Sequence, residues 1–292
     1  MTIKNIKKRI TGQATQDGAG VKLIRVLGYE NVKDIDPFLM LDAFDSTNPE
    51  DYIAGFPMHP HRGIETITYL IEGHIEHKDS LGNGGTIHKG ESQWMTAGSG
   101  IMHEEMPKED DRLFGLQIWL NLPKKDKMTD PNYFDIKNDM IKEINIDEGH
   151  VRVISGEFNG HKGITGKFIK ATLIDFSLKP NNELIIPVNT EDNAFVYVFE
   201  GNGYFGNNMN NDNKIDNKIN NNVENKTVAI FDDGDEIKVK SGVNGIRFLL
   251  FAGKPLKEPI AWGGPIVMND ESELINAFDE LQNGKFIKNT DN

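Results

Sequence analysis

The sequence predicts an all-β protein, with a sandwich or barrel in each of two similar halves. Short runs rich in β-branched and aromatic residues recur between turn signals, as in Thr66–Ile71, Gly115–Leu120 and Ala194–Phe199. The glycine-rich stretch Ser80–Gly85 punctuates two of them. Convincing helical periodicity is confined to one segment near the C-terminus. An internal echo supports the two halves. Tyr69-Leu70-Ile71-Glu72-Gly73 resembles Tyr197-Val198-Phe199-Glu200-Gly201, and Gly98-Ser99-Gly100-Ile101 resembles Gly242-Val243-Asn244-Gly245-Ile246, in the same order.

The boundary between the halves falls in the Lys/Asp-rich stretch 124–147, dividing the chain into 1–135 and 136–292. Positions 206–226 contain ten asparagines. Such a segment cannot bury a core, and it reads as an expanded hairpin loop after a Glu-Gly turn. In the C-terminal segment Asp270 can cap a helix, with Leu274, Ile275, Phe278 and Leu281 at helical spacing and Gly284 to end it.

Composition narrows the function. Of 292 residues, 37% are apolar and 26% charged, and the net charge is −13. Mean hydropathy is −0.48. An acidic chain without a basic stripe repels phosphate backbones, so direct nucleic-acid binding is not expected. There is no cysteine, which removes disulfides, thiolate metal sites and cysteine nucleophiles. No apolar run reaches membrane-spanning length and none follows the basic N-terminus, so a cytoplasmic protein is expected.

The chemistry concentrates in two short pairs. His59 and His61 stand in FPMHPHRG, and His103 and Glu105 in GIMHEEMP. On a strand, residues i and i+2 point to the same face. Two such strands side by side offer three imidazoles and one carboxylate, a donor set for a divalent first-row metal that leaves two octahedral positions open. Glu104 has the opposite parity and should point away. Glu65 shares parity with His61 and is a rival ligand or a neighbour of the ligands. All eight histidines lie at or before His161 and the second half has none beyond that point, so of two barrels the first is the one expected to carry a histidine metal site.

Other polar residues carry weaker signals. His77 and Asp79 share a face, with Asp79 read as structural at the turn; His88 reads as a turn residue, and His74 is out of parity. Gln117 could serve the pocket or a structural hydrogen bond. Met95, Met102 and Met106 read as core and pocket lining.

The segments DPFLMLD (36–42), FPMHPHRGIETITYLIEG (56–73), QWMTAGSGIMHEEMP (93–107), GLQIWLNLP (115–123) and WGGPIVMNDESEL (262–274) resemble the pirin family of the cupin superfamily. The resemblance is dense in the first half and looser in the second. It implies two jelly-roll β-barrels with metal only in the N-terminal one, held by His59, His61, His103 and Glu105, and it prefers Glu105 to Glu65 as the carboxylate ligand. One divalent metal per chain is expected, iron(II) first, with Mn, Co, Ni or Cu able to use the same donors.

The same resemblance implies quercetinase-type activity, a 2,3-dioxygenase that opens the flavonol heterocycle with loss of CO. A flat aromatic substrate and O₂ would share the barrel, with Phe56, Met58, Met102 and Met106 at its mouth and Gln117 beside it. Glu105 would accept the proton of the flavonol 3-hydroxyl. Two further readings compete: a metal-bearing regulator with a protein partner, as the family also implies, and a cupin with a vestigial site. Retention of all four ligands disfavours the last.

Overall fold

A computed structural model describes residues 1–207 and 221–288. Among them, every ladder between strands is antiparallel, and the only helices beyond single 3-10 turns are Val32–Ile35 and Glu271–Gln282. The all-β expectation holds. No described helix is long and apolar enough to cross a membrane.

The chain forms two units. The first, here called the histidine unit, comprises Gln13–Tyr29, Phe38–Asn138 and Leu256–Asn292. Its seven-stranded sheet runs in the order Asn132–Ile136, Ser92–Thr96, Ile64–Glu72, Leu113–Asn121, Phe38–Ser46, Val21–Leu27, Gln13–Asp17. A four-stranded sheet of Phe56–His61, Ile101–Pro107, His74–Asp79 and Gly84–His88 lies against it. Side chains of the two inner faces meet, as the Glu105 contacts with Thr68 and Gln117 demonstrate. This two-sheet arrangement is a jelly roll. Alternation explains it locally: Ile101–Pro107 buries Ile101, His103, Glu105 and Pro107, while the residues between are half-exposed.

The second unit comprises Met1–Gly12, Glu30–Pro37 and Asp139–Pro255. Its sheet centres on the long strands Asn193–Phe205 and Glu236–Gly253, and its core is aliphatic and aromatic, with Phe176, Phe205 and Phe248 fully buried.

This division differs from a single cut at 135/136, because two terminal segments cross over. Ile6–Thr11 pairs with Thr227–Phe231 and so belongs to the second unit. Residues 256–292 belong to the histidine unit. There Ile266, Met268, Ala277 and Phe286 form a core cluster with Leu274, Phe278 and Leu281. Buried Arg62 donates to the Phe286 carbonyl at 2.8 Å, and buried Lys127 donates to the Val267 carbonyl at 2.7 Å. Neither crossover has a local sequence signature.

Smaller features follow local chemistry. Asp270 caps the C-terminal helix through the Glu273 N–H at 2.9 Å, and Glu273 bonds back to the Asp270 N–H, completing a capping box. Ile275, placed on the apolar face by its spacing, is instead 56% exposed. In the internal echo, Gly73 follows the end of Ile64–Glu72 while Gly201 stands at a register shift inside Asn193–Phe205; both have positive φ, +89° and +67°, and a Cβ would press on the backbone carbonyl of Arg112 or Gly245. The second echo is not structural: Gly98–Ile101 leads into a strand, whereas Gly242–Ile246 lies inside one. Of the asparagine-rich stretch, Asn222–Glu224 pairs with Asn202–Tyr204 as a hairpin arm, and positions 208–220 lie outside the described residues.

Candidate metal centre

The site begins with strand register. Phe56–His61 pairs with Ile101–Pro107 so that His103 stands opposite His59 and Ile101 opposite His61. His59, His61 and His103 therefore share the inner face of the four-stranded sheet. One nitrogen from each lies within 4.8 Å of the other two. A register shift between His103 and Glu105 sets Glu105 opposite Phe56. It also turns Phe56 to the same side as His59, three residues away, which a regular strand would not allow.

The tautomers are fixed from outside. His59 Nδ1 lies 2.9 Å from the Pro57 carbonyl and His61 Nδ1 lies 3.1 Å from the Pro265 carbonyl. A carbonyl only accepts, so both Nδ1 atoms carry the proton and both Nε2 atoms present lone pairs. Those two Nε2 atoms are 3.1 Å apart. Facing lone pairs at that distance repel unless a cation sits between them. The Nε2 of His103 is buried and has no hydrogen-bond partner. Burial also holds all three imidazoles neutral: it lowers His59, lowers His103 well below the ordinary value and pulls His61 down to about 3. Three neutral, converging, unprotonated nitrogens fit a divalent metal, and His59, His61 and His103 could hold one.

Glu105 stands beside this triad rather than within it. Its Oε1 contacts Thr68 Oγ1 at 2.8 Å and the Gln93 amide, and its Oε2 accepts from Gln117 Nε2 at 3.1 Å. Burial pushes its carboxyl up to about 7 against the pull of those hydrogen bonds. Thr68 has one hydroxyl proton and faces two oxygens, Glu105 Oε1 and Gln117 Oε1 at 2.5 Å. A proton on Glu105 would satisfy both.

His59 and His61 of the triad line a cavity of about 790 Å³ inside the histidine unit. Phe56, Thr68, Glu105 and Gln117 line its inner part. Trp119 meets His61 edge-on at 4.9 Å between ring centroids, and Trp262 lies 5.9 Å beyond Trp119. At the far wall Arg25 forms a two-pronged pair with buried Asp42, at 3.0 and 2.7 Å, and a further bond to Asp17 at 2.9 Å.

Of the residues expected around the pocket, Phe56 and Gln117 line the cavity and four others do not. Met102 and Met106 have the opposite strand parity to His103 and Glu105, and Met58 the opposite parity to His59; Met58 is 48% exposed. Glu65 also faces away, accepting from Thr96 Oγ1 at 2.7 Å. Gly63 at φ +76° breaks the strand, so parity with His61 does not carry through. Thr68, an odd number of residues from Glu65, is the one that faces in.

Sequence reasoning missed Gln93, Thr68, Trp119, Trp262, Arg25 and Asp42. Parity would have flagged Thr68 beside Gln117, its register partner. Trp262 had no such signal, because its place depends on the returning C-terminal segment.

A jelly roll with a histidine triad on the inner face of one sheet defines a cupin. The family profile described as Pirin matches residues 20–120, and that described as Pirin C-terminal cupin domain matches residues 173–287. A pirin-like protein of Caulobacter vibrioides is 41% identical over 290 residues, covering 98% of this chain and all of its own. The chain belongs to the pirin family. Among solved structures, a quercetin 2,3-dioxygenase from Acinetobacter baumannii superposes with a TM-score of 0.87 at 33% identity, over 98% of this chain and 99% of that one. A bacterial pirin of Escherichia coli in complex with nickel(II) shares the fold, with a TM-score of 0.63 at 20% identity over 85% of this chain and 99% of that one.

Proposed function

We propose that this chain is a metal-dependent dioxygenase acting on flat, hydroxylated aromatics of the flavonol type, with iron(II) as its metal. The observation that carries the reading is the convergence of one nitrogen each from His59, His61 and His103 to within 4.8 Å, with His59 and His61 lining an aromatic-walled cavity. The similarity to a quercetin 2,3-dioxygenase over nearly the whole chain supports it.

The metal would supply Lewis acidity toward a substrate hydroxyl and redox chemistry toward O₂. His59, His61 and His103 would hold it, with Glu105 either a fourth ligand or the adjacent base. The chain's own residues do the rest. Trp119 and Trp262 form an apolar wall against which a planar ring system can lie. Glu105, with a carboxyl near neutrality, is matched to take the proton of a phenolic or enolic hydroxyl. Gln93, Gln117 and Thr68 hold its two oxygens in place and stabilise the charge it acquires on releasing that proton. The largely apolar lining excludes water from the electron-rich substrate anion.

Incubating iron-loaded protein with quercetin and O₂, and following flavonol loss at saturating substrate, tests the reading. Turnover far above one per metal is expected. Full turnover at full metal content in His61→Ala or Glu105→Ala would sink it.

A further inference from the structure

The same sheet carries a second, fully buried histidine-carboxylate pair that the ligand set does not use. Ile101–Pro107 pairs on its other side with His74–Asp79, which places His77 opposite Glu105 and Asp79 opposite His103. All four side chains therefore share the inner face. His77 Nδ1 lies 3.4 Å from His103 Nδ1, and His77 Nε2 lies 3.5 Å from Asp79 Oδ2. The side chains of His77 and Asp79 are both 0% exposed.

We infer that His77 is a positioning residue for the metal centre, acting through His103 in a buried Asp79–His77–His103 chain. This rests on the metal-binding reading given above. The direction of the chain follows from hydrogen-bond chemistry. Asp79 is fixed by the turn after its strand: Oδ1 accepts from the Leu81 and Asn83 N–H groups at 2.9 and 3.0 Å, and Oδ2 from Asn83 Nδ2 at 2.9 Å. A carboxylate so placed draws the imidazole proton of His77 to Nε2. His77 Nδ1 is then a lone pair, and it accepts the Nδ1 proton of His103. His103 Nε2 is left bare on the side of His59 and His61. Neither His77 Nε2 nor His103 Nε2 makes a hydrogen bond, but His77 Nε2 has the Asp79 carboxylate 3.5 Å away, whereas the reverse arrangement would place a proton on buried His103 Nε2 with no carboxylate within ion-pair distance.

One further contact holds His77 still, and it is itself braced. Tyr133 stacks on its ring, with centroids 3.9 Å apart and planes 8° from parallel. The Tyr133 hydroxyl donates to Asp135 Oδ1 at 2.5 Å and sits 3.2 Å from Gln93 Oε1, the same glutamine whose amide reaches Glu105. Gly85 leaves room for this group, since a Cβ there would meet the Tyr133 hydroxyl at 2.9 Å. His77 is thus oriented by stacking on one side and by a carboxylate on the other, and its remaining nitrogen points at a ligand.

The test uses cobalt(II) as probe on metal-free, full-length protein, with affinity read by competition against a chelating dye. Wild type, His61→Ala, His77→Phe and His77→Asn are compared. Phe keeps the stacked ring and removes the acceptor; Asn returns an oxygen near the Nδ1 position. His77→Phe is expected to weaken cobalt binding roughly 10- to 100-fold with little change in kon, and His77→Asn to recover most of the loss. Equal affinity in wild type and His77→Phe, while His61→Ala loses binding, overturns the inference and leaves the metal reading standing. Absence of cobalt binding in wild type removes the metal reading itself. Nitrogen-15 NMR of the histidine rings in wild type provides a check that no variant's folding can obscure. His103 protonated at Nδ1 and His77 at Nε2 supports the chain, and the opposite tautomers overturn it.

Discussion

His61 Nδ1 lies 3.1 Å from the carbonyl oxygen of Pro265, 204 residues further along the chain. One of three converging imidazoles is therefore oriented by the C-terminal segment rather than by its own barrel strands. Pro265 stands between the short paired strands Ala261–Gly263 and Ile266–Met268. That hairpin is tied down by Lys127, whose buried ammonium donates to Gly63 O, Asn121 Oδ1 and Val267 O at 2.8, 2.5 and 2.7 Å. Lys127→Met strips three buried acceptors of their donor. It is expected to cost about 3 kcal/mol or more, read from urea unfolding of metal-free protein. It should also weaken metal binding, because Pro265 loses its anchor. Wild-type stability in this variant would show that the hairpin holds without Lys127.

The same hairpin carries Trp262, which forms the outer aromatic wall and donates from Nε1 to the Gly264 carbonyl at 2.8 Å. Trp262→Ala removes one side of the slot without touching a histidine. Loss of an aromatic contact of this kind is worth about 1 to 2 kcal/mol, so KM for quercetin should rise roughly five- to thirty-fold with kcat less affected. Steady-state kinetics on iron-loaded protein decides it. An unchanged KM would place the substrate elsewhere in the cavity.

These two residues mark where the sequence stops being legible. His59, His61 and His103 were readable because strand parity is local: two residues suffice to place two donors on one face. The same rule, followed strictly, would have excluded Met58, Met102 and Met106 from the pocket, where size and softness had suggested lining. Glu65 misled because one glycine at positive φ, Gly63, resets the parity between neighbouring strands. Phe56 faces the cavity only through a register shift that no spacing reveals. Pro265, Trp262 and the Ile6–Thr11 strand are placed by pairings more than a hundred residues long, and such pairings leave no periodicity in the chain. His77 was visible as sharing a face with Asp79, but its approach to His103 required the register of a third strand.

Burial of neutral histidines makes the metal-free protein acid-sensitive. In the unfolded chain an imidazole titrates near its ordinary value of 6.5, whereas burial lowers His59, His77 and His103 and pulls His61 to about 3. Below pH 6.5 the unfolded state therefore binds more protons than the folded one, and stability falls as pH falls. Each such proton contributes a slope of about 1.4 kcal/mol per pH unit. Glu105 acts in the opposite sense. Its folded value of about 7 exceeds the ordinary 4.5, so its contribution is present in acid and is lost as pH rises through 7. Four histidines outweigh one glutamate between pH 4.5 and 6.5. Thermal melts of metal-free protein should fall steeply from pH 7 to pH 5, and Glu105→Gln should make the fall steeper. A melting temperature that is flat or rising toward pH 5 would contradict neutral buried imidazoles.

Metal binding and folding should also be linked through the 3.1 Å approach of His59 Nε2 to His61 Nε2. Without a cation, two lone pairs face each other in a buried site. With one, the repulsion becomes coordination, and the folded state gains what the unfolded chain cannot. At a free metal concentration one hundred times Kd, the gain is about 2.7 kcal/mol. With the two units melting together over 292 residues, that corresponds to a rise in Tm of about 4 °C. Adding nickel(II) or cobalt(II) to metal-free wild type should therefore raise Tm, and chelator should reverse it. His61→Ala removes one of the facing nitrogens. It should melt no lower than wild type by more than the lost packing, about 2 to 4 kcal/mol, and should respond far less to metal. If the variant gains as much from metal as wild type does, the ion is binding somewhere other than between these imidazoles.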